Sequence, residues 1–378
     1  MDPDPIREFG WQVQRVIERN DLSREETRAV FGEILRNEQP ELQQGALLAA
    51  LAAKGETAEE IAGAWEAIVA LDTIAATDLE AGPLVENSGT GMDQLKTFNV
   101  STAAAIIAAT AGARLARHGA RGLTSACGTV DVLEALGLDI DCPVPQVVRS
   151  INTVGIGLFN GMSATVHPGA LGRILAQIRF GSTLNIAASL ASPCRATHGL
   201  RGVHRADAIH GVVEVMKAIG YRRAMVVHGW DADKSHGMDE LSTLGDTEVA
   251  ELHESGHVDS YVLSPESLGL ERSTYEDVAT SGDVAIEAER MVQLLSGLGT
   301  KAREDLACLN AGAILYLVKL APSLKDGITL ARAQLGSAAL ARLEGWVRAQ
   351  ARDVMRQEIA VRQFARVVSR AGVPAHLS

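Results

Sequence analysis

Between residues 88 and 102 the chain reads Ser-Gly-Thr-Gly-Met-Asp-Gln-Leu-Lys-Thr-Phe-Asn-Val-Ser-Thr. A strand entering a glycine turn, with a hydroxyl-rich segment opening a helix behind it, suits a phosphate. Backbone N–H groups can ring its oxygens, and the helix N-terminus adds a favourable dipole. Ser101 and Thr102 supply hydroxyl donors, and Ser101 can also ligate Mg²⁺. Gly89-Thr90-Gly91 with Asp93, followed by Asn99, Ser101 and Thr102, is far more specific than a bare G-x-G. It is neither a Walker A loop, which needs G-K-[ST], nor the dinucleotide G-x-G-x-x-G.

Two further pieces carry chemistry. Arg117-His118-Gly119-Ala120-Arg121, then Thr124-Ser125-Ala126-Cys127-Gly128-Thr129, sets two arginines and a glycine turn before a helix. The bland reading is a basic surface loop, but the nearby first loop favours a second anion site, for a diphosphate or a 5′-phosphate. Gly237-Met238-Asp239-Glu240 puts adjacent carboxylates in a loop after a strand, which fits Mg²⁺ held by a few carboxylates, water and phosphate oxygens. Other motifs carry less. His253-Glu254-Ser255-Gly256-His257 matches H-E-x-x-H, but that zinc site needs an uninterrupted helix. Here Ser255-Gly256 breaks it, and Val258, Tyr261 and Leu263 alternate as a strand. His198, His204 and His210 recur every six residues, which fits no metal site. Cys127 reads as a small packed residue beside Gly128. His118 is either a hydrogen-bonding group in a cleft or a structural histidine.

The elements that must position these residues show two patterns. Ser23 to Glu26 and Thr57 to Glu60 are capping boxes. Val30, Phe31, Ile34 and Leu35 form one helical stripe, Pro40 opens a helix that ends at Lys54-Gly55, and the helix after Thr57 runs to about Ile74. A linker over 75–83 follows. Strands over 84–88, 115–117 and 223–228 then alternate with helices over 101–113 and 130–136, which predicts an α/β domain with a mainly parallel sheet. Helices beginning near Asp283, Lys301 and Lys325 close the domain. Over 346–378, Arg348, Arg352, Arg356, Arg362, Arg366 and Arg370 stand against Asp353 and Glu358, and the segment reads as a long amphipathic helix with a solvated basic face.

Composition bounds the rest. The 378 residues are 47% hydrophobic and 22% charged, which excludes wholesale disorder. The net charge of −12 argues against nucleic acid as the main partner. Four scattered cysteines imply neither a disulfide framework nor a zinc site. The small-apolar run over 102–113 is too short to span a bilayer. With no basic, apolar leader at the start, the expected compartment is the cytoplasm.

In this order the three pieces resemble anthranilate phosphoribosyltransferase and the wider class that includes pyrimidine-nucleoside and archaeal AMP phosphorylases. The likeness covers roughly residues 12–347, including LSREETRAVFGEIL near the start and CLNAGAILYL towards the end. It implies an α/β fold in which a small helical domain is hinged to a larger α/β domain, with the active site in the cleft between them. The helical domain would take residues 1–75, joined in space by 168–195. The α/β domain would take 84–167 and 196–347, leaving 348–378 as an Arg-rich extension. It further implies a homodimer through the helical domains, and a hairpin turn at the H-E-x-x-H match.

Carried over by position, Gly89, Thr90, Gly91, Asp93, Thr97, Asn99, Ser101, Thr102, Arg117, Gly119 and Thr129 would hold phosphoribosyl diphosphate. Arg117 stands where the family commonly has Lys. Ser101, Asp239 and Glu240 would serve Mg²⁺, and no covalent nucleophile is required. The acceptor side departs from the family. Ala120 replaces an Asn, Ala188-Ser189 replaces a Gly-Pro wall, and the arginine for the acceptor's carboxylate has only Arg173 or Arg179 as counterparts. With His118, these residues lead to the expectation of a small aromatic acceptor other than anthranilate. The alternatives are a nucleoside or nucleotide phosphorylase, a true anthranilate phosphoribosyltransferase, and a non-catalytic nucleic-acid-binding relative.

Overall fold

The structure, a computed structural model, describes residues 4–90, 93–119, 121, 127–178, 180–374 and 376. It opens with four helices, α1 (Pro5–Ile17), α2 (Arg24–Arg36), α3 (Glu41–Lys54) and α4 (Ala58–Leu71). Both capping boxes form: Ser23 and Glu26 exchange bonds at the start of α2, as do Thr57 and Glu60 at the start of α4. The stripe of Val30, Phe31, Ile34 and Leu35 is buried as its spacing predicts. α2 and α4 pack backbone to backbone at Gly63, where a Cβ would lie 2.4 Å from the Arg24 carbonyl oxygen.

The larger part alternates strands and helices: β1 (Val85–Ser88), α5 (Val100–Thr110), β2 (Leu115–Gly119), α6 (Thr129–Ala135), α7 (Val144–Val154) and β3 (Ile156–Asn160). The chain then returns to the bundle as α8 (Ala170–Ile178) and α9 (Thr183–Leu190). Their Leu171, Ile174, Leu184 and Leu190 share a core with Leu47, Leu51 and Ile68, and the Trp65 indole N–H donates to the Leu190 carbonyl at 2.9 Å. The sheet resumes with β4 (His198–Gly202), α10 (Ile209–Ala218), β5 (Arg223–Trp230), β6 (Gly237–Met238), β7 (Thr247–Leu252) and β8 (Val258–Leu263). Strand order is β3-β2-β1-β4-β5-β7-β8, with β6 also paired to β5. Strands β1 to β5 run parallel and the β6, β7 and β8 pairings are antiparallel. The order reverses between β1 and β4, so the connections leaving these strands diverge and open a crevice at their C-terminal ends. The H-E-x-x-H match is the β7–β8 turn, with His253 and His257 each 2.9 Å from an oxygen of Asp259.

Side chains alternate across the sheet. Leu200, Met225 and Val227 face one core, and Ala224, Val226 and Ala250 face α10 and the bundle. The first core is closed by α11 (Tyr275–Val278), α12 (Val284–Leu295), α13 (Lys301–Leu317), α14 (Leu324–Arg332), α15 (Ser337–Ala349) and α16 (Val354–Arg370).

The C-terminal segment is amphipathic with Arg362, Arg366 and Arg370 at the surface, as expected, but it forms two helices where one long helix was expected. The helix breaks at Gln350, whose buried amide bonds Leu158 through its N–H and C=O and accepts from the Trp346 indole. The Arg352 guanidinium grips Asp139 from Nε at 2.7 Å. Ala360, Phe364, Val367 and Val368 of α16 then enter the core. Gly137, at φ +98°, lets α16 dock, since a Cβ there would lie 2.6 Å from the Ala360 carbonyl oxygen. Arg348, Arg352, Arg356, Arg362 and Arg370 all have carboxylate partners within 4.0 Å. Phe364→Ala is therefore expected to destabilise the whole α/β unit by ~3–5 kcal/mol, read as a lower urea midpoint. A detached extension would leave the midpoint unmoved.

Candidate active site

The crevice has a cationic floor. Arg117 on β2 is buried and donates to Asn87 Oδ1 (3.2 Å), Thr102 Oγ1 (2.6 Å) and Ser101 Oγ (3.0 Å). Asn87 in turn donates to the Ser101 carbonyl at 2.7 Å, which ties β1 to the first turn of α5. Burial lowers the guanidinium pKa to about 10 against the pull of Glu240 and Glu86, so it stays charged at neutral pH. The α5 N-terminus, its hydroxyls and a buried cation thus converge, as the sequence implied.

A carboxylate cluster faces this floor. β6 places Asp239 and Glu240 immediately beyond the edge of β5, and Asn310 on α13 holds the next residue by both its N–H and C=O, at 3.1 and 3.0 Å. Asp239 is buried. Two glycines make room for it: a Cβ on Gly89 would sit 2.4 Å from its carboxyl, and one on Gly202 would collide with its carbonyl. Thr90 donates to Asp239 at 3.2 Å and lies 3.3 Å from His204 Nδ1. Burial and the neighbouring Asp239 and Asp93 charges push Glu240 well above the ordinary carboxylate range, against Arg117 and the Ser101 N–H. Burial and Asp239 raise Asp93 to about 6, although Lys96 lies 3.1 Å away. A cavity of about 10 Å³, room for one water, separates floor from cluster and is lined by Asn87, Ser88, Ser101, Gly202, Asp239 and Glu240.

The remaining donor-side residues surround this centre. Thr97 forms a β-bridge with Ala279, pinning the loop before α5. Asn99 donates to the Cys127 carbonyl at 3.2 Å, and its buried Oδ1 has no protein partner among the described residues. Thr129 opens α6, and Gly119 lies against it. Arg121 is not aimed at an anion: it pairs with Asp131 and Glu134 at 2.9 and 2.8 Å on exposed α6. Gly91, Ala120 and Arg179 lie outside the described residues, as do Met92, Thr124 and Ser125.

On the other face of the sheet, His118 Nδ1 lies 3.3 Å from the Ser189 carbonyl, and its Nε2 lies 3.3 Å from His167 Nε2. His167 Nδ1 lies 2.7 Å from the Asp72 carbonyl. Carbonyls only accept, so each Nδ1 carries the proton and each Nε2 presents a lone pair. Burial and His167 lower the His118 pKa to about 3, which keeps it neutral. Arg173 is elsewhere: it donates to the Ile34 carbonyl at 2.8 Å and to Gln44 at 3.3 Å inside the bundle. Sequence reasoning missed Asn87, His167, Arg201 and Asn310. The signal for Asn310 was a polar residue amid apolar neighbours; Asn87, flanked by Glu86 and Ser88, gave none outside the fold, nor did His167 and Arg201.

Comparison with known proteins places this geometry. The Glycosyl transferase family a/b domain matches residues 81–339 and that family's helical bundle domain matches 13–71. The anthranilate phosphoribosyltransferase of Myxococcus xanthus is 40% identical over 329 residues, covering 86% of this chain and 94% of that protein. The chain belongs to the anthranilate phosphoribosyltransferase family. It is thus a glycosyltransferase of the phosphoribosyltransferase class. The anthranilate phosphoribosyltransferase of Methanocorpusculum labreanum is 38% identical, covering 89% and 96%. The Thermus thermophilus enzyme superposes with a TM-score of 0.81 at 31% identity, covering 89% of this chain and 98% of that one. The expectation of an acceptor other than anthranilate finds no support in these relatives.

The carboxylate cluster has a consequence for the protein without ligands. A carboxyl raised from its unfolded value of roughly 3.9 to about 6 keeps its proton in the native state, so its ionisation at higher pH opposes folding. The penalty is complete above pH 6 and absent below pH 4. Asp93→Asn is expected to stabilise the unliganded protein by ~1–2 kcal/mol at pH 8, with the gain fading towards pH 4. Denaturation midpoints measured across that range check it.

Proposed function

We propose that the protein transfers the 5-phosphoribosyl group from phosphoribosyl diphosphate to anthranilate in a Mg²⁺-dependent reaction. The observation that carries this reading is the buried Arg117, with the Ser101 and Thr102 hydroxyls, set against a carboxylate cluster in which Asp239 raises the pKa of both Asp93 and Glu240. A diphosphate needs the first surface. The second, with glycines where a Cβ would displace Asp239, has the charge and oxygen donors for Mg²⁺, with Asp239, Glu240 and Ser101 as its holders. Among the described residues no three His, Cys, Asp or Glu side chains are grouped to hold an ion alone, which agrees with Mg²⁺ keeping water and substrate oxygens in its shell. Bound there, Mg²⁺ supplies neutralisation of charge on the departing diphosphate.

The chain's own groups account for the remaining work. The α5 N-terminus and hydroxyls orient the donor, so that the acceptor meets the ribose carbon from the opposite face. On the acceptor side, the Nε2 lone pairs of His118 and His167, 3.3 Å apart, call for a hydrogen-bond donor beside them, and an aromatic amine provides N–H groups. The carboxylate partner is not Arg173, which the bundle occupies. The bundle's α8 and α9 lie over this side of the sheet, which supports an active site in the cleft between the helical and α/β parts.

We also propose a homodimer through the helical part, where Trp11, Ile17 and Leu42 are exposed, and a cytoplasmic location. No helix among the described residues is long and apolar enough to cross a membrane.

Diphosphate release with phosphoribosyl diphosphate, Mg²⁺ and anthranilate tests the reading. Efficient turnover that stops with a chelator is expected, and failure with anthranilate alongside turnover of another aromatic amine or phenol would replace the acceptor. Ser101→Ala is expected to raise the KM for phosphoribosyl diphosphate ~10-fold, leaving that for anthranilate within twofold.

A further inference from the structure

The acceptor side rests on a charge pair that the transfer chemistry does not use. Arg201 on β4 is 3% exposed. It donates to Ser88 Oγ at 2.5 Å and to Ser189 Oγ, and it lies 3.7 Å from Glu86 Oε1. Glu86, 1% exposed, accepts from Ser88 Oγ, while its Oε2 has no hydrogen-bond partner among the described residues. Ser189 stands in the last turn of α9, and its hydroxyl proton goes to the Ile186 carbonyl at 2.8 Å, so its oxygen is the acceptor for Arg201. The Ser189 carbonyl is the group that His118 Nδ1 faces. A continuous path therefore runs from Glu86 through Arg201 and Ser189 to the imidazole of His118, tying the end of α9 to β4 and β2 across β1.

We propose that Arg201 is a positioning residue for the acceptor: it fixes Ser189 and, through the Ser189 carbonyl, the orientation and tautomer of His118, with Glu86 as the counter-charge that keeps the guanidinium buried. The proposal rests on the reading of transfer to an aromatic acceptor given above. Two physical points carry it. The surroundings on this face are apolar or aromatic, including Ala224, Val226 and Tyr221, and an apolar pair there would be as stable as a buried ion pair or more so. Stability alone therefore gives no reason for these charges. The wall itself, Ala188-Ser189 at a helix end, has no rigidity of its own, because last-turn carbonyls lack intrahelical partners. A planar guanidinium fork holding two hydroxyls supplies that rigidity, and a lysine's single ammonium does not reproduce it.

The test uses the paired variant Glu86→Gln with Arg201→Gln, which removes both charges, shortens only the Arg201 side chain and leaves no unpaired buried ion. Ser189→Ala is the second variant; it keeps the ion pair intact and serves alone if the first does not fold. The expected result is a KM for anthranilate raised ~10-fold or more, with that for phosphoribosyl diphosphate within twofold. Backbone amides over 183–190 should exchange hydrogen faster, and combining the variants should add little to either effect. Arg201→Lys should not restore the acceptor KM. An unchanged acceptor KM in the paired variant overturns the proposal, whatever happens to exchange. If the wild-type protein releases no diphosphate with anthranilate, the functional reading fails by itself. Exchange then decides the clamp: faster exchange over 183–190 in either variant supports it, and unchanged exchange overturns it.

Discussion

Arg117 carries a charge that water does not reach, and much of the crevice is the set of groups that make its burial tolerable. Desolvating a guanidinium costs several kcal/mol unless every direction of its fork meets an acceptor. Asn87, Ser101 and Thr102 provide them, placed by two different constraints. Asn87 points inward because β1 alternates, while the two hydroxyls face Arg117 because they open a helix whose Ala-rich body is locked in the core. The strand, the helix start and the cation therefore fix one another. The same helix start presents N–H groups that have no intrahelical partner, so the surface left for a ligand is positive by construction.

The opposing carboxylates give the crevice its second property. Three acids stand close together, with Asp93 and Glu240 pushed up by burial and by the neighbouring Asp239, and they persist because the scaffold leaves them nowhere else to go. Gly89 and Gly202 admit Asp239, β6 anchors it to the sheet, and Asn310 holds the turn from the far side. Strength of this kind lies in the scaffold and is released only when cationic charge arrives. Floor and cluster attract each other across the cavity through Arg117 and Glu240, and each also presents its own charge to a ligand of mixed charge.

Much of this was legible before any coordinates. The capping boxes, the helical stripe on α2, the strand-to-glycine turn and the N-x-S-T helix opening are local patterns, and local patterns survive into the fold. What could not be read is what depends on partners distant in sequence. Arg121 looked like an anion ligand beside Arg117, but α6 offers it Asp131 and Glu134. Arg173 looked like a carboxylate ligand, but α2 and α3 claim it. Asp239 and Glu240 were legible as a carboxylate pair in a loop, but not their anchoring, because the two-residue strand β6 has no signature of its own. Arg201 gave no signal, since its partners lie on β1 and α9, more than a hundred residues before it and a dozen residues before it.

The docking of α16 on Gly137 bears on how the protein is made. α16 is the last helix among the described residues, yet its Phe364 and Val367 sit in the same core as α5 and α6, whose first turns border the crevice. The N-terminal bundle likewise waits for α8 and α9 to cover Trp65. A nascent chain can therefore fold its helices as they emerge, but the larger core stays open until the last turn of α16 has left the ribosome. Until then the apolar faces of α5 and α6 are left to chaperones or to chance association.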